Sequence, residues 1–399
     1  MHVLIIGNGI AGLTAARALS EGGVDVEVTT QEAHPYYPRP RLYGFLAGEI
    51  EREALYAYSP AWYEERGITL HLGVGVVGLD PSAKQIRLAD GRPVSYERLL
   101  LATGSHPFIP PIEGVEQEGV FTLRTIEDGL AIRRWAEGAR RALVIGGGLL
   151  GLEAARALGT LGVEVTVLEM ASYLLPRQLD AEGGALLSKR IEAMGIEVAL
   201  NASSRAILGA GRVAGVLLED GREIEGDMVL ISAGIRSNVQ LAQEAGLEVQ
   251  QGVIVDEHLR TSAEDIYAAG DVAEFRGRVY GIIPAAIEQA RVAAANMVGR
   301  EGVEYRGTVP SNALQVVSID CASIGVHHPP AGVGYLELRR SGAQGYKKLV
   351  LKDGRLVGAI LLGYRKDVAP ISQLIRKEAD VSRHVERLLD DDFEWRGLV

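Results

Sequence analysis

The stretch from Ile5 to Ser20, IIGNGIAGLTAARALS, returns 139 positions later as VIGGGLLGLEAARALG, from Val144 to Gly159. Each copy opens on a short apolar run and passes through three glycines at one spacing: Gly7, Gly9 and Gly12, then Gly146, Gly148 and Gly151. An Ala-rich helical pattern follows each, then a second apolar run, VDVEVTT or VEVTVLE. Apolar runs of this kind read as strands buried on both faces. Strand, glycine turn, helix and strand make a βαβ unit carrying a dinucleotide fingerprint. The first glycine permits the tight turn, and the second lets a pyrophosphate approach the backbone. The third lets helix and strand pack closely, with the phosphates at the positive helix end. Glycine-rich turns also occur in α/β proteins that bind no phosphate, but the strand–helix–strand context weighs against that reading in both copies. Ile10 and Ala11 in the first fingerprint, and Leu149 and Leu150 in the second, join the candidate cofactor-binding set. The fold class expected is α/β, with two Rossmann-like dinucleotide-binding domains.

The second strand of each copy ends differently. In the second copy it ends at Glu169, whose carboxylate can accept hydrogen bonds from an adenosine ribose. A 2′-phosphate there would meet like charge, so NADH is expected rather than NADPH. The equivalent of Glu169 in the first copy is Thr30, and the nearest acid is Glu32, two residues on. Glu32 is the candidate ribose contact of that copy, against the alternative of a solvated surface acid. Two nucleotide folds in one chain suggest two cofactors that exchange a hydride.

The rest of the composition narrows the class. A chain of 399 residues is long enough for two or three domains. Its net charge of −11 argues against nucleic acid or an anionic membrane as the main partner. No apolar run approaches a membrane span, and strand-like sequence from His2 onward speaks against a leader peptide. With Cys321 as the one cysteine, no internal disulfide can form, and the cytoplasm is the expected compartment. No metal site is expected.

Three further stretches bear on which cofactor goes where. RLLLATGSHPFIPPIEG places a strand before Ala102, Thr103 and Gly104. MVLISAGIRSN, from Met228 to Asn238, is its counterpart after the second βαβ unit and contains Gly234. TSAEDIYAAGDVAEF runs from Thr261 through Gly270 and Asp271. Together these resemble the two-dinucleotide-domain flavoproteins, the pyridine nucleotide-disulfide oxidoreductase superfamily. The resemblance implies FAD on the first copy and NADH on the second. It also implies that Asp271 binds the ribityl chain of the flavin, although DVAEF would equally let Asp271 open a helix.

Many members carry a redox-active cysteine pair, or one cysteine, after the first βαβ unit. Here that region reads HPYYPRPRLYGFLAGE, with no cysteine. Thiol–disulfide exchange needs a thiolate beside the flavin, so a disulfide reductase is excluded. The stretch instead is similar to the ferredoxin reductase, rubredoxin reductase and NADH-nitrite-reductase flavin-domain branch, and Arg39 matches an arginine of its pattern. The lysine expected near the flavin is replaced by Gly44, with Arg41 the candidate to supply that charge. Glu153, just after the second fingerprint, matches the glutamate that pairs with the lysine. Glu153 and Arg41 are therefore the catalytic candidates, against a plain dipole-stabilising acid for Glu153.

From about residue 310 the chain reads as strands, with an Asp353-Gly354 hairpin signal, and then as a helix through VAPISQLIRKEADVSRHVERLL. The resemblance makes this a small α+β C-terminal domain that docks an acceptor or completes a homodimer. The expected boundaries are 1–112 with 237–309 for FAD, 113–236 for NAD and 310–399 for the C-terminal domain. Arg339, Arg340, Lys347, Lys348, Arg365 and Lys366 are candidates for steering an acidic carrier, against an ordinary solvated face. Cys321 reads as core, and His327 and His328 as loop. The resemblance points to an NADH-dependent flavoprotein reductase passing electrons to rubredoxin, ferredoxin or a redox partner subunit. A flavin subunit of a larger complex, and a nucleotide sensor with little turnover, are the other readings.

Overall fold

A computed structural model describes the chain except residues 301, 309, 310, 318, 331, 333, 343 and 399, together with the side chains of 311–316 and 396. The chain forms two compact units, Met1–Phe108 with Gly234–Thr308, and Ile109–Ala233 with Val309–Val399.

In the first unit five strands lie in the spatial order Ile266–Ala268, Arg98–Leu101, His2–Ile6, Asp25–Thr29, Ile68–His71, all parallel. Parallel strands covered on both faces need apolar side chains throughout, and Val3, Leu4, Ile5, Leu99 and Leu100 are fully buried. The helix Ile10–Glu21 packs on the helix Ile283–Met297. A three-stranded antiparallel sheet, Val76–Asp80, Gln85–Leu88 and Pro93–Ser95, is inserted before the strand Arg98–Leu101.

The second unit repeats this plan. Its parallel sheet runs Val120–Phe121, Met228–Ile231, Arg141–Ile145, Glu164–Leu168, Glu197–Ala199. A three-stranded insertion, Ser204–Gly209, Val213–Leu218 and Glu223–Glu225, again precedes the strand beside the fingerprint strand. The doubled sequence is thus a doubled topology.

The same unit carries a five-stranded antiparallel sheet in the order Ser311–Val316, Ile319–Gly325, Arg355–Leu362, Tyr346–Lys352, Tyr335–Ser341. Asp353 and Gly354 turn the hairpin with φ of +50° and +76°, as the Asp-Gly signal requires. The helix that follows is shorter than its pattern suggests and spans Arg365–Arg376. Glu378 takes a φ of +49°, and the Val381 amide donates to the Gly354 carbonyl. The chain is thereby drawn back to the sheet.

Lys347 and Lys348 do not steer a carrier. Their strand is paired on both sides, so its side chains enter the packed layers above and below the sheet. Lys347 is fully buried, with its ammonium 2.9 Å from Asp367 and 4.4 Å from the centre of the Tyr364 ring. Lys348 is 3% exposed and meets Glu337 at 2.9 Å and Asp180 at 3.6 Å. Charge alone suggested a surface, but burial with partners decides otherwise.

Candidate functional site

The two fingerprints fold alike for one steric reason. Gly7 and Gly146 sit at φ of +109° and +113°, and a Cβ on either would press on the carbonyl of Ala102 or Ser232, at 2.2 and 2.4 Å. A Cβ at Gly12 would lie 1.9 Å from the Gly7 carbonyl oxygen, and one at Gly151 2.0 Å from that of Gly146. The middle glycines differ. A Cβ on Gly9 or Gly148 would meet no protein atom within 4 Å. Steric need inside the protein therefore explains four of the six glycines, and the remaining two leave the backbone open to close approach.

Helix capping varies along the chain. The helix Ile126–Ala136 opens on a Thr125–Asp128 capping box, and Ala181–Glu192 is capped by Asp180. The helices Ile10–Glu21, Leu149–Thr160 and Ile283–Met297 open on Gly9, Gly148 and Ile282 with no side-chain cap, as does Arg365–Arg376 on Tyr364. Leading amides need acceptors, and the positive end of a fingerprint helix suits an anion.

In the first unit a cleft is lined by Gly9, Ile10, Thr30, Glu32, Tyr36 and Arg39, among others. Arg39 reaches both oxygens of Glu32, and the Tyr37 hydroxyl donates to the same carboxylate. Burial works against the Arg39 charge, but the Glu32 carboxylate more than offsets it, so its pKa is raised. Across the fingerprint, Asn238 is a brace. Its amide donates to the Thr103 carbonyl at 2.7 Å, and its backbone N–H donates to the Gly104 carbonyl at 2.9 Å. Asp271 accepts from Ser105 at 2.7 Å, while the Ser237 hydroxyl donates to its backbone carbonyl at 2.7 Å. A strand, Ala273–Phe275, follows Asp271, so the residue opens no helix. Gly270, at φ +85°, leaves no spare room beside Ala11, and its amide donates to the buried Gln289 side chain at 2.9 Å. Gly234, at φ +113°, accepts from the Phe108 amide at 2.9 Å.

Gly44 lies buried in the short helix Arg41–Leu46, where a Cβ would sit 2.7 Å from Ile50 Cδ1. A lysine there would require Ile50 to move. Arg41 is exposed and donates to the Ala54 carbonyl at 3.2 Å.

In the second unit Glu169 is 6% exposed, and its two oxygens accept from the amides of Gly147 and Ala171, each at 2.8 Å. Each oxygen retains a lone pair for a ribose hydroxyl. Glu153, in the second fingerprint helix, accepts from the Val317 amide at 2.8 Å and lies 3.5 Å from Arg156. Cys321 is buried, which pushes its thiol up to about 12. Among the described residues no three His, Cys, Asp or Glu side chains are grouped to hold a metal ion.

Sequence reasoning passed over Ser105, Ser237, Asn238 and Gln289 as brace residues. Ser237 and Asn238 close the segment MVLISAGIRSN, but nothing local shows that they fold back on Thr103 and Asp271.

The arrangement defines a protein with two folds of the dinucleotide-binding type, each with a glycine-headed, uncapped helix. The family model for pyridine nucleotide-disulphide oxidoreductases matches residues 1–295, and that for the rubredoxin NAD+ reductase C-terminal domain matches residues 310–379. A nitrite reductase [NAD(P)H] of Bacillus subtilis is 37% identical over 384 residues, covering 96% of this chain and 48% of that protein. The ferredoxin–NAD(+) reductase component of the biphenyl dioxygenase system of Paraburkholderia xenovorans is 32% identical, covering 100% of this chain and 98% of that one. Among solved structures, the covalent putidaredoxin reductase–putidaredoxin complex matches with a TM-score of 0.88 at 27% identity, over 100% of this chain and 97% of that one. The chain spans about half the length of the nitrite reductase and nearly all of the ferredoxin reductase. It belongs to the pyridine nucleotide-disulphide oxidoreductase family, in the branch whose C-terminal domain is of the rubredoxin reductase type. The matched family is named for its use of a pyridine nucleotide.

Proposed function

We propose that the chain is an NADH-dependent flavoprotein reductase that hands electrons singly to a small redox protein of the ferredoxin or rubredoxin kind. The observation that carries this reading is the pair of open glycines, Gly9 and Gly148, each at the head of an uncapped helix. FAD, when bound, supplies both the hydride acceptor and the release of single electrons.

The protein's part is to hold and orient. Gly7, Gly9, Ile10, Ala11 and Gly12 receive the FAD diphosphate, and Glu32 with Arg39 borders its adenosine end. Ala102, Thr103, Gly104, Gly270 and Asp271 line the flavin half, braced by Asn238 and Ser105. Gly146, Gly148, Leu149, Leu150 and Gly151 receive the NADH diphosphate and Glu169 the ribose, with Gly234 a further cofactor-binding candidate. Arg41 supplies positive charge on the side where Gly44 leaves none. The domain division that goes with this reading is 1–112 with 237–309, 113–236, and 310–399.

No thiol takes part: the one cysteine is buried and protonated at neutral pH. Among the described residues no helix is long and apolar enough to cross a membrane. A cytoplasmic location and a C-terminal homodimer contact belong to the same proposal. The half-length match to a nitrite reductase favours a second reading, in which the chain serves as the flavin portion of a larger complex. An acceptor screen with NADH separates the two. Turnover with free rubredoxin or ferredoxin supports the first, and turnover only after adding a stoichiometric redox subunit supports the second.

A further inference from the structure

The second fingerprint helix, Leu149–Thr160, carries a carboxylate with an unexpected partner. Glu153 accepts the backbone N–H of Val317 at 2.8 Å. Val317 follows the strand Ser311–Val316, at the turn into Ile319–Gly325, where Val316 pairs with Ile319. It is 1% exposed, so water does not serve its amide. Its φ is +52°, a left-handed conformation that a β-branched residue resists. A glycine or asparagine would take that turn unaided. A valine needs something to hold it there, and the carboxylate is the group in place. The second Glu153 oxygen faces Arg156 at 3.5 Å, which orients the carboxylate from its own helix.

The location matters. Glu153 is four residues past Leu149, roughly 6 Å along the helix axis from its amino end. That end opens on Gly148, beside which there is room for a ligand, and Leu150 there is 48% exposed. The C-terminal domain therefore reaches the nucleotide fold about one helical turn from where the diphosphate docks.

We propose that Glu153 is a positioning residue: it pins the Val317 turn beside the diphosphate-binding end of the second fingerprint helix, and so makes NADH binding depend on the C-terminal domain. This rests on the reading of the second fold as the NADH site. It also gives Glu153 a task that needs no lysine at position 44.

The test uses the FAD-loaded full chain, with NADH as donor and ferricyanide as acceptor. Glu153→Ala raises the KM for NADH about tenfold, the scale of losing one hydrogen bond to a charged group, with a smaller change in kcat. Adding Val317→Gly in that background brings the KM most of the way back, because glycine adopts the turn without help. Hydrogen exchange is the second readout: the Val317 amide is protected in the parent and in Glu153→Gln, and exposed in Glu153→Ala. A fall in kcat at unchanged KM, with no recovery from Val317→Gly, would overturn the proposal. So would unchanged Val317 protection in Glu153→Ala or lost protection in Glu153→Gln, and the Gln variant keeps the test alive where the Ala variant fails to fold. If the parent itself shows no reaction with NADH, the functional reading fails while the exchange result still decides the pinning.

Discussion

Two glycines of one fingerprint separate ligand from scaffold at single-residue resolution. Gly148→Ala places its Cβ in open space, so we expect thermal stability within about 1 kcal/mol of the parent, near the cost of Gly versus Ala effects in the chain, but a raised KM for NADH. Gly151→Ala drives its Cβ onto the Gly146 carbonyl at 2.0 Å, and we expect loss of about 1–3 kcal/mol or more, read in urea unfolding. Glu169 holds the Gly147 and Ala171 amides and is also the proposed ribose contact. Glu169→Arg is expected to shift preference from NADH toward NADPH while lowering stability. A variant whose KM ratio for the two nucleotides does not move would remove Glu169 from the ribose contact. Cys321 gives a negative control of the chemistry: with its thiol pushed up to about 12 by burial, it is expected to resist alkylation at pH 8 in the folded protein. Cys321→Ala is expected to keep NADH-dependent dye reduction, and loss of that activity would restore a thiol mechanism.

Among the elements, the inner strand Tyr346–Lys352 of the C-terminal sheet shows where charge and burial part company. Lys347 and Asp367 form a pair with side-chain exposures of 0% and 5%. Lys347→Ala leaves Asp367 buried without its partner, and we expect a loss of about 3–5 kcal/mol, measured by denaturant unfolding. A change below about 1 kcal/mol, the scale of exposed pairs, would mean the pair is solvated. The two lysines read as a basic surface because sequence shows charge but not the second strand pairing that encloses it. The same limit explains the helix that stops at Arg376. The apolar spacing continues, while the left-handed Glu378 and the Val381–Gly354 hydrogen bond answer to a distant hairpin.

Across the whole molecule, legibility followed repetition. The doubled fingerprint announced the doubled α/β topology because the first and third glycine of each copy answer a local steric demand that any copy of the turn must meet. The Asp353-Gly354 turn was readable for the same reason. The brace among Thr103, Ser105, Asn238 and Asp271 was not: Asn238 lies 135 positions from Thr103, and Ser105 lies 166 from Asp271. Contacts at such separations leave no period in the sequence. Glu153 is the sharpest case, since its partner is a backbone amide 164 positions away.

The central claim is that one chain holds a hydride donor on its second fold and a hydride acceptor on its first. An anaerobic titration of the FAD-loaded protein with NADH tests it most directly. The account predicts that about one equivalent of NADH per bound flavin removes the yellow absorbance, as a two-electron transfer demands. A protein that takes up FAD but stays yellow with excess NADH, or one that purifies colourless and refuses FAD, would contradict it.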